Sequence, residues 1–412
     1  MVLSEGLLFI VFISIIIISF ISDQVLEYLN IKNSSEKLPA ELEDVYDAEK
    51  YARQNRYEKE NYRFDIITSS FSLITVLLMF FLGGFRFADN LASDIISHPV
   101  LTSLIFFGII MLASDIIDTP FSIYNIFVIE EKYGFNKTTR KTFILDKIKG
   151  WLLMAILGGG IFALIIWLFQ NTGEYFWLLA WAAVSGFMIF MTMFYSSLIV
   201  PLFNKQTPLE EGELRSAIQE FSIKAGFKLD NIYVIDGSKR STKANAYFSG
   251  LGTKKRIVLY DTLIKDLTVP QIVAVLAHEI GHYKLRHTLS SVITGIVQTG
   301  ALLYLLSLFL TEHVFSYAMG ADQPSFHMGM IAFGILFSPI STIIGLFMNT
   351  LSRKNEYAAD KYAKDHYNGE ELIGALKKLS EKNLSKLTPH PLYVFFNYLH
   401  PTLLQRIRAI RN

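Results

Sequence analysis

The sequence contains no cysteine, and this absence removes several kinds of chemistry. Disulfide bonds, thiolate metal ligands and a cysteine nucleophile are excluded, so any metal ion must be held by histidine and carboxylate side chains. An excess of charge of one sign is also missing, because 38 lysines and arginines balance 37 acidic residues and leave a net charge of +1. This balance gives no sign of nucleic-acid binding, and we expect no nucleic-acid partner.

The abundance of apolar residues indicates a protein of the lipid bilayer. Hydrophobic residues make up 51% of the 412 residues, and the mean hydropathy is +0.35. Seven apolar stretches are long enough to cross a membrane: residues 3–21, 66–85, 100–124, 151–169, 175–200, 288–310 and 328–350. The first stretch lacks a basic start and a small-residue cleavage pattern, so we interpret it as a retained span with the N-terminus outside.

The positions of the basic residues predict which side of the membrane each loop occupies. If alternate loops lie on opposite sides, one side holds residues 22–65, 125–150, 201–287 and 351–412. That side carries 37 of the 38 lysines and arginines, and the other side carries only Arg86. Because basic residues accumulate on the cytoplasmic side of a membrane, we expect the segment 201–287 to face the cytoplasm.

A short motif within that segment predicts a metal site. His278 and His282 lie four residues apart, which places them about 40° apart around a helix axis, so both can bind one metal ion. Glu279 lies between them, where it could take a proton from a metal-bound water instead of binding the ion. The preceding Thr268 and Gln271 form an N-terminal helix signal, so the motif is expected to lie on a helix.

A catalytic zinc ion needs a third protein ligand, and the sequence offers one after the seventh span. Glu356 is predicted to bind the metal, and Asp360, one helical turn later, is predicted to accept the free ring N–H of a ligand histidine. Two imidazoles and one carboxylate suit a single Zn²⁺ ion per chain. His287, about 140° further around a continuous helix than His282, is expected to point away and receives no role.

Residues 201–287 are predicted to form a small α+β unit. The patterns indicate a helix at 209–225, strands at 231–235, 244–248 and 256–260, and then the motif helix, which is expected to continue into the sixth span. The predicted division of the chain is therefore 1–200 for the first five spans, 201–287 for the catalytic insert, 288–350 for the last two spans and 351–412 for a cytoplasmic helical segment.

The chain resembles a family of integral-membrane zinc metalloproteases, the type I CAAX prenyl proteases, from about residue 37 to residue 411. Besides the two zinc-ligand segments, the matching motifs are 130–137 (EEKYGFNK), 201–205 (PLFNK), 238–241 (SKRS), 245–248 (NAYF), 255–259 (KRIVL) and 400–402 (HPT). The resemblance implies a mainly α fold, in which a barrel of seven membrane helices encloses a chamber and the α+β unit lies at its cytoplasmic face.

The resemblance also implies roles for residues outside the metal motif. His400 is expected to stabilise the oxyanion and Arg406 to hold the acidic groups near zinc. Asn245, Ala246 and Tyr247 match the segment on which relatives bind the substrate backbone as an added strand.

The expected activity is peptide hydrolysis that removes the C-terminal tripeptide of prenylated CAAX proteins, with a peptide or protein substrate and the lipid bilayer as partners. Two alternatives stay open, which are a membrane quality-control zinc protease without a prenyl requirement and a transporter or receptor with a structural zinc. The lack of cysteine and of a lysine-based tail after Asn412 favours a bacterial inner membrane, with the endoplasmic reticulum expected for a eukaryotic protein. No oligomeric state is predicted.

Overall fold

The computed structural model describes residues 4–34, 38–226, 232–250 and 256–412. Leu3, Asn231 and Lys255, which begin a predicted span, a predicted strand and a family motif, lie outside these residues. Within the described ranges the chain is mainly helical and contains a single four-stranded sheet, which confirms the predicted fold class.

The helices are numbered here in chain order. They are α1 (Glu5–Lys32), α2 (Ala48–Phe81), α3 (Gly84–Ile95), α4 (Pro99–Tyr124), α5 (Arg140–Leu153), α6 (Gly159–Asn171), α7 (Phe176–Phe194), α8 (Val200–Phe203), α9 (Glu213–Lys224), α10 (Asp261–Asp266), α11 (Val269–Lys284), α12 (His287–Leu310), α13 (Val314–Ala318), α14 (Phe326–His366), α15 (Gly369–Lys382), α16 (Pro391–Asn397) and α17 (Leu403–Arg411).

Seven helical stretches in the described part of the chain are long and apolar enough to cross a membrane, as predicted. They are α1, α2, α4 with its continuation to Glu130, α5 joined to α6, Gly173–Phe203, α12 and α14. The second stretch ends earlier than expected, at Phe81 instead of residue 85. Gly83 adopts a left-handed conformation with φ of 68° and turns the chain from α2 into α3, an amphipathic helix between the second and third spans.

The spans form a closed ring. Phe64 of α2 stacks on Tyr124 of α4 with ring centroids 5.3 Å apart, and further contacts join α4 to α6, α6 to α7, α7 to α12, α12 to α14, and α14 and α2 to α1. Only 6% to 22% of the most apolar window of each span is buried inside the protein. A solid bundle would bury a face of every helix, so the ring surrounds a central space and contacts lipid on its outside.

The small sheet lies between the fifth and sixth spans in sequence. Its strands are β1 (Gln206–Pro208), β2 (Ile232–Ile235), β3 (Ala246–Ser249) and β4 (Arg256–Tyr260), in the spatial order β1-β2-β4-β3. β2 and β4 are parallel, and both outer strands run antiparallel to their neighbours. β1 was not predicted, because it has only three residues and ends in a proline, which is tolerated at a sheet edge.

The largest apolar core of the described residues surrounds α11. The side chains from Ile272 to Ala277 are all buried, and β4 adds Ile257 and Leu259. α9, α14 and α15 pack around the same helix. Burial on every side holds α11 rigidly, which is what a site on this helix requires. The division of the chain into four parts stays a prediction.

Candidate metal centre

Helix α11 carries the predicted motif and begins where the sequence indicated. Thr268 caps it by accepting a hydrogen bond from the backbone of Gln271, whose side chain in turn accepts from the backbone of Thr268. This reciprocal cap satisfies backbone groups that the first helical turn leaves without partners. The cap therefore fixes the start of the helix that carries His278 and His282.

A close helix crossing brings the third predicted ligand to this motif. At Gly281 of α11, an added Cβ would lie 3.1 Å from Tyr362 Cβ and 3.2 Å from Ala359 Cα of α14. Because these distances are shorter than ordinary van der Waals contacts, a larger residue would push the helices apart. The glycine thus lets α14 approach closely enough for Glu356 to reach the histidines.

The three predicted ligand atoms converge. His278 Nε2 and His282 Nε2 are 3.1 Å apart, and the Glu356 carboxylate lies 3.5 Å from the first nitrogen and 3.1 Å from the second. His278, His282 and Glu356 form the single such group found among the described residues. Ligands about 2.0–2.1 Å from a tetrahedral zinc ion are separated by about 3.3 Å, so the observed triangle fits such an ion.

A polar atom without a partner supports the same conclusion. Glu356 is buried, and its Oε2 accepts no hydrogen bond within the described part of the chain. A buried carboxylate oxygen without a partner is costly, and two imidazole lone pairs that face each other repel. A cation between these atoms removes both costs, so the donor set fits a bound metal.

Acidic groups behind His278 complete its environment. Asp360 Oδ1 lies 2.9 Å from His278 Nδ1, on the ring side opposite to the metal triangle. Burial by itself would lower the pKa of His278, but the neighbouring carboxylates of Asp360 and Glu356 outweigh that effect and raise the pKa to about 9. The same negative field attracts a metal cation to His278 Nε2.

Arg406 reaches the site from helix α17. Its Nε and Nη2 donate to the two oxygens of Asp360 at 2.8 and 2.5 Å, in the bidentate geometry typical of arginine and carboxylate. The side chain is only 12% exposed, so the positive charge compensates the buried acids beside it. A cap formed by Thr402 and Gln405 starts α17 one turn before Arg406.

His400 lies at an accessible side of the centre. His400 Nε2 lies 3.4 Å from Glu356 Oε1, yet its side chain is 63% exposed. Glu279 is partly buried and directly follows His278 on α11. The fold thus brings the three predicted ligands together with Asp360, Arg406 and His400, although up to 128 residues separate these positions in the chain.

One residue near the centre was missed by the sequence analysis. His287 Nδ1 lies 2.9 Å from His282 Nδ1, so the prediction that His287 points away was wrong. That prediction assumed a helix continuing into the sixth span, but α11 ends at Lys284 and α12 begins at His287. Arg286 between them is left-handed, with φ of 58°. Neither propensity nor periodicity signalled this break, because Arg286 is not a glycine.

The predicted substrate segment lies at an edge of the sheet. β3 pairs with β4 alone among the described strands, and α11 packs against it. The carbonyl oxygen of Asn245 accepts a hydrogen bond from Tyr260 N. In an antiparallel pair only every second residue forms hydrogen bonds with the neighbouring strand, so the backbone groups of Ala246 point away from β4. The Ala246 N–H donates to Asn245 Oδ1 at 2.9 Å. The Tyr247 hydroxyl contacts Ser196 Oγ of the fifth span at 3.2 Å.

The 130–137 motif supports the chain that leads into β3. Thr242 N donates to Phe135 O at 3.0 Å, and Lys137 N donates to Arg240 O at 3.0 Å. Lys243 forms an ion pair of 2.9 Å with Glu130. These contacts tie the C-terminal end of the third span to the segment that leads into β3.

Comparison with known proteins agrees with this geometry. Residues 27–205 match the family described as CAAX prenyl protease N-terminal, five membrane helices, and residues 208–412 match Peptidase family M48. The CAAX prenyl protease 1 homolog of Oryza sativa subsp. japonica is 37% identical, with 91% of this chain and 90% of that protein covered. CAAX prenyl protease 1 of Saccharomyces cerevisiae is 36% identical, with 92% and 89% covered.

A solved structure extends the likeness to the whole fold. The crystal structure of S. mikatae Ste24p matches with a TM-score of 0.93 and 34% identity, covering 98% of this chain and 99% of that one. The predicted barrel of seven membrane helices around a chamber, with the α+β unit, is thereby confirmed. The triangle of His278, His282 and Glu356 and the likeness to these relatives lead to one conclusion: the chain belongs to the CAAX prenyl protease 1 family of M48 peptidases and is a multi-pass membrane metalloprotease.

Proposed function

We propose that the protein is a zinc endopeptidase that removes the C-terminal tripeptide from prenylated CAAX proteins. The observation that carries the proposal is the triangle of His278 Nε2, His282 Nε2 and Glu356. The helix that bears the two histidines also bears Glu279 and packs against β3, an outer strand of the described sheet. The CAAX substrate class comes from the names of the relatives.

His278, His282 and Glu356 would hold one Zn²⁺ ion. When bound, this ion lowers the pKa of a water molecule towards neutrality and polarises the carbonyl of the scissile bond. Asp360 fixes the ring of His278, and Arg406 holds Asp360 in place through two hydrogen bonds.

Glu279 acts as the general base and then as the general acid. It takes a proton from the attacking water and passes that proton to the amine that leaves. His400 donates a hydrogen bond to the oxygen of the carbonyl as negative charge develops there. Its exposed side chain next to Glu356 is free to turn towards a substrate.

The substrate backbone would add to the sheet beside β3. An extended peptide that pairs with Ala246 gives its N–H a carbonyl acceptor in place of the Asn245 side chain. The fixed strand would present the scissile bond to Glu279 on the adjacent α11. Tyr247, anchored on the fifth span, would lie between this peptide and the membrane part of the molecule.

The membrane part would hold the lipid of the substrate. The spans that form the ring are strongly apolar helices, and a space enclosed by such helices suits an isoprenoid chain. The distribution of basic residues supports a cytoplasmic position for the metal centre and an outer position for the N-terminus. Labelling of single introduced cysteines in intact cells tests the orientation.

Cleavage of a farnesylated CAAX peptide by the purified protein tests the proposed function. Release of the tripeptide should require zinc, should be abolished by a chelator and should be almost absent in Glu279→Gln, which keeps its metal. The matched control is the same peptide without the farnesyl group. Equal cleavage of both peptides would leave a zinc protease without a prenyl requirement, and no cleavage by the zinc-loaded protein would refute the proposal.

A further inference from the structure

The two ligand histidines are held in the same way but by different partners. Each points Nε2 towards the metal triangle and Nδ1 away from it. Behind His278 the partner of Nδ1 is the carboxylate of Asp360, at 2.9 Å. Behind His282 the partner is another imidazole, His287 Nδ1, also at 2.9 Å.

The chemistry of the imidazole ring fixes the direction of this second hydrogen bond. A neutral histidine carries one proton, and a nitrogen that binds a metal must offer its lone pair. With His282 Nε2 in the ligand triangle, its proton lies on Nδ1 and is donated to His287 Nδ1. His287 is therefore the acceptor and carries its own proton on Nε2.

We propose that His287 is a positioning residue that holds His282 in the tautomer and ring orientation needed for metal binding. The inference rests on the zinc site of the proposed function and extends it to a second histidine pair. His287 does not itself belong to the ligand group, because it contacts the nitrogen of His282 that faces away from the triangle.

The backbone places His287 by a strained connection. On a continuous helix, His287 would lie about 140° around the axis from His282. Instead Arg286 N donates to Tyr283 O at 3.0 Å, Arg286 takes a left-handed conformation, and its carbonyl accepts from Ser290 N at 2.9 Å to start α12. Left-handed backbone is unfavourable for arginine, so the surrounding contacts must impose it. The bend redirects the chain so that His287 turns back to the metal centre.

Zinc titration of His287→Leu and His287→Gln tests this role. Leucine removes the acceptor, whereas the glutamine amide oxygen can replace it. We expect His287→Leu to weaken zinc binding about 10-fold or more, measured by competition with a chelator. The free-zinc midpoint for peptide cleavage should shift by the same factor at unchanged KM. His287→Gln should recover most of the loss, and Arg286→Gly, which suits the left-handed backbone, should keep wild-type zinc affinity.

Controls separate this inference from folding and from the proposed function. His366→Leu changes an exposed histidine whose Nδ1 faces Tyr362 O, and it should not shift the zinc midpoint. Wild-type zinc affinity in His287→Leu would overturn the inference. It would also be overturned if His287→Leu and His287→Gln lost zinc affinity equally and both lowered the Tm of the metal-free protein. If the wild-type protein does not bind zinc, or if His278→Ala keeps its zinc, the zinc site of the proposed function fails instead.

Discussion

Both ends of the helical barrel contain a buried histidine paired with an aspartate, and only one end is a metal centre. At the end opposite the metal centre, His327 Nε2 lies 2.7 Å from Asp89 Oδ1 and His327 Nδ1 lies 3.0 Å from Ser103 Oγ. Both ring nitrogens therefore have partners, and all three side chains are buried. This cluster joins α3, α4 and α14 and leaves neither ring nitrogen of His327 for a metal ion.

At the end that holds the metal centre, the pair of His278 and Asp360 uses only one ring nitrogen of His278. The other nitrogen faces His282 Nε2 and a buried Glu356 oxygen that lacks a hydrogen bond in the described chain. The difference between the two ends shows that a buried His-Asp pair does not by itself indicate a site. A site requires converging lone pairs without a protein donor, together with an accessible side such as that of His400.

The largest expected contrast between the ends concerns turnover. Glu279→Gln removes the group that accepts the water proton, and we expect kcat to fall by about 10²–10⁴-fold while one zinc per chain is kept. His327→Asn, at the end opposite the metal centre, should keep the wild-type kcat. Peptide cleavage and elemental analysis measure both. A Glu279→Gln protein with wild-type turnover would rule out the proposed base.

Removing the charge of each aspartate sharpens the comparison. Asp360→Asn should weaken zinc binding by about 10–100-fold, because His278 loses its carboxylate partner. Asp89→Asn should leave zinc affinity unchanged and lower the free energy of unfolding by about 1–3 kcal/mol, because it weakens a buried hydrogen bond. Chelator competition and thermal unfolding in detergent distinguish the two results. Loss of zinc from Asp89→Asn as well would contradict the claim that only the Asp360 end of the barrel binds the metal.

Gly281→Ala tests whether close helix packing assembles the centre. The added methyl group must displace Tyr362 and Ala359 by several tenths of an ångström, and we expect a stability loss of about 1–3 kcal/mol with weaker zinc binding. Gly334→Ala on α14 is the matched control, since an added Cβ there meets no atom within 4 Å. Equal zinc affinity in both variants would show that the assembly of the metal centre does not depend on the distance between α11 and α14 at Gly281.

The smallest effects are expected from two arginines with the same geometry and different burial. Arg406 pairs with Asp360 and is 12% exposed, whereas Arg86 pairs with Asp322 and is 55% exposed. Arg406→Lys loses the bidentate hydrogen bonds and should cost about 1.5 kcal/mol. Arg86→Lys, which water screens, should cost less than about 1 kcal/mol. Thermal unfolding of the metal-free proteins measures both values, and equal costs would mean that burial does not set the strength of these pairs.

Local signals in the sequence were sufficient for the elements that carry the site. The Thr268 cap, the His278 and His282 spacing and the seven apolar stretches are short-range patterns, and each matched the structure closely. Glu356 was found although it lies 74 residues after His282, because it belongs to the same side of the membrane as the motif. The alternation of spans makes that inference possible without any contact information.

The misplaced elements depend on forces that act at long range. The three-residue β1 exists because β2 offers it a partner, and the turn at Gly83 moves the end of the second span. His287 was misjudged because the left-handed Arg286 contradicts local propensity. Such a residue persists only when surrounding packing imposes its conformation, and that packing is invisible in a single sequence.

The membrane class, the motif helix and the chemical types of the ligands could be predicted from the sequence alone. Hydrophobic length is a property of one continuous segment, and helix capping and residue spacing act over one or two helical turns. The tertiary structure decided which side chains meet. The Gly281 crossing sets the distance from Glu356 to the histidines, the outer strand β3 of the described sheet packs against α11, and the bend at Arg286 turns His287 to His282. These meetings depend on close packing between segments that are distant in the chain.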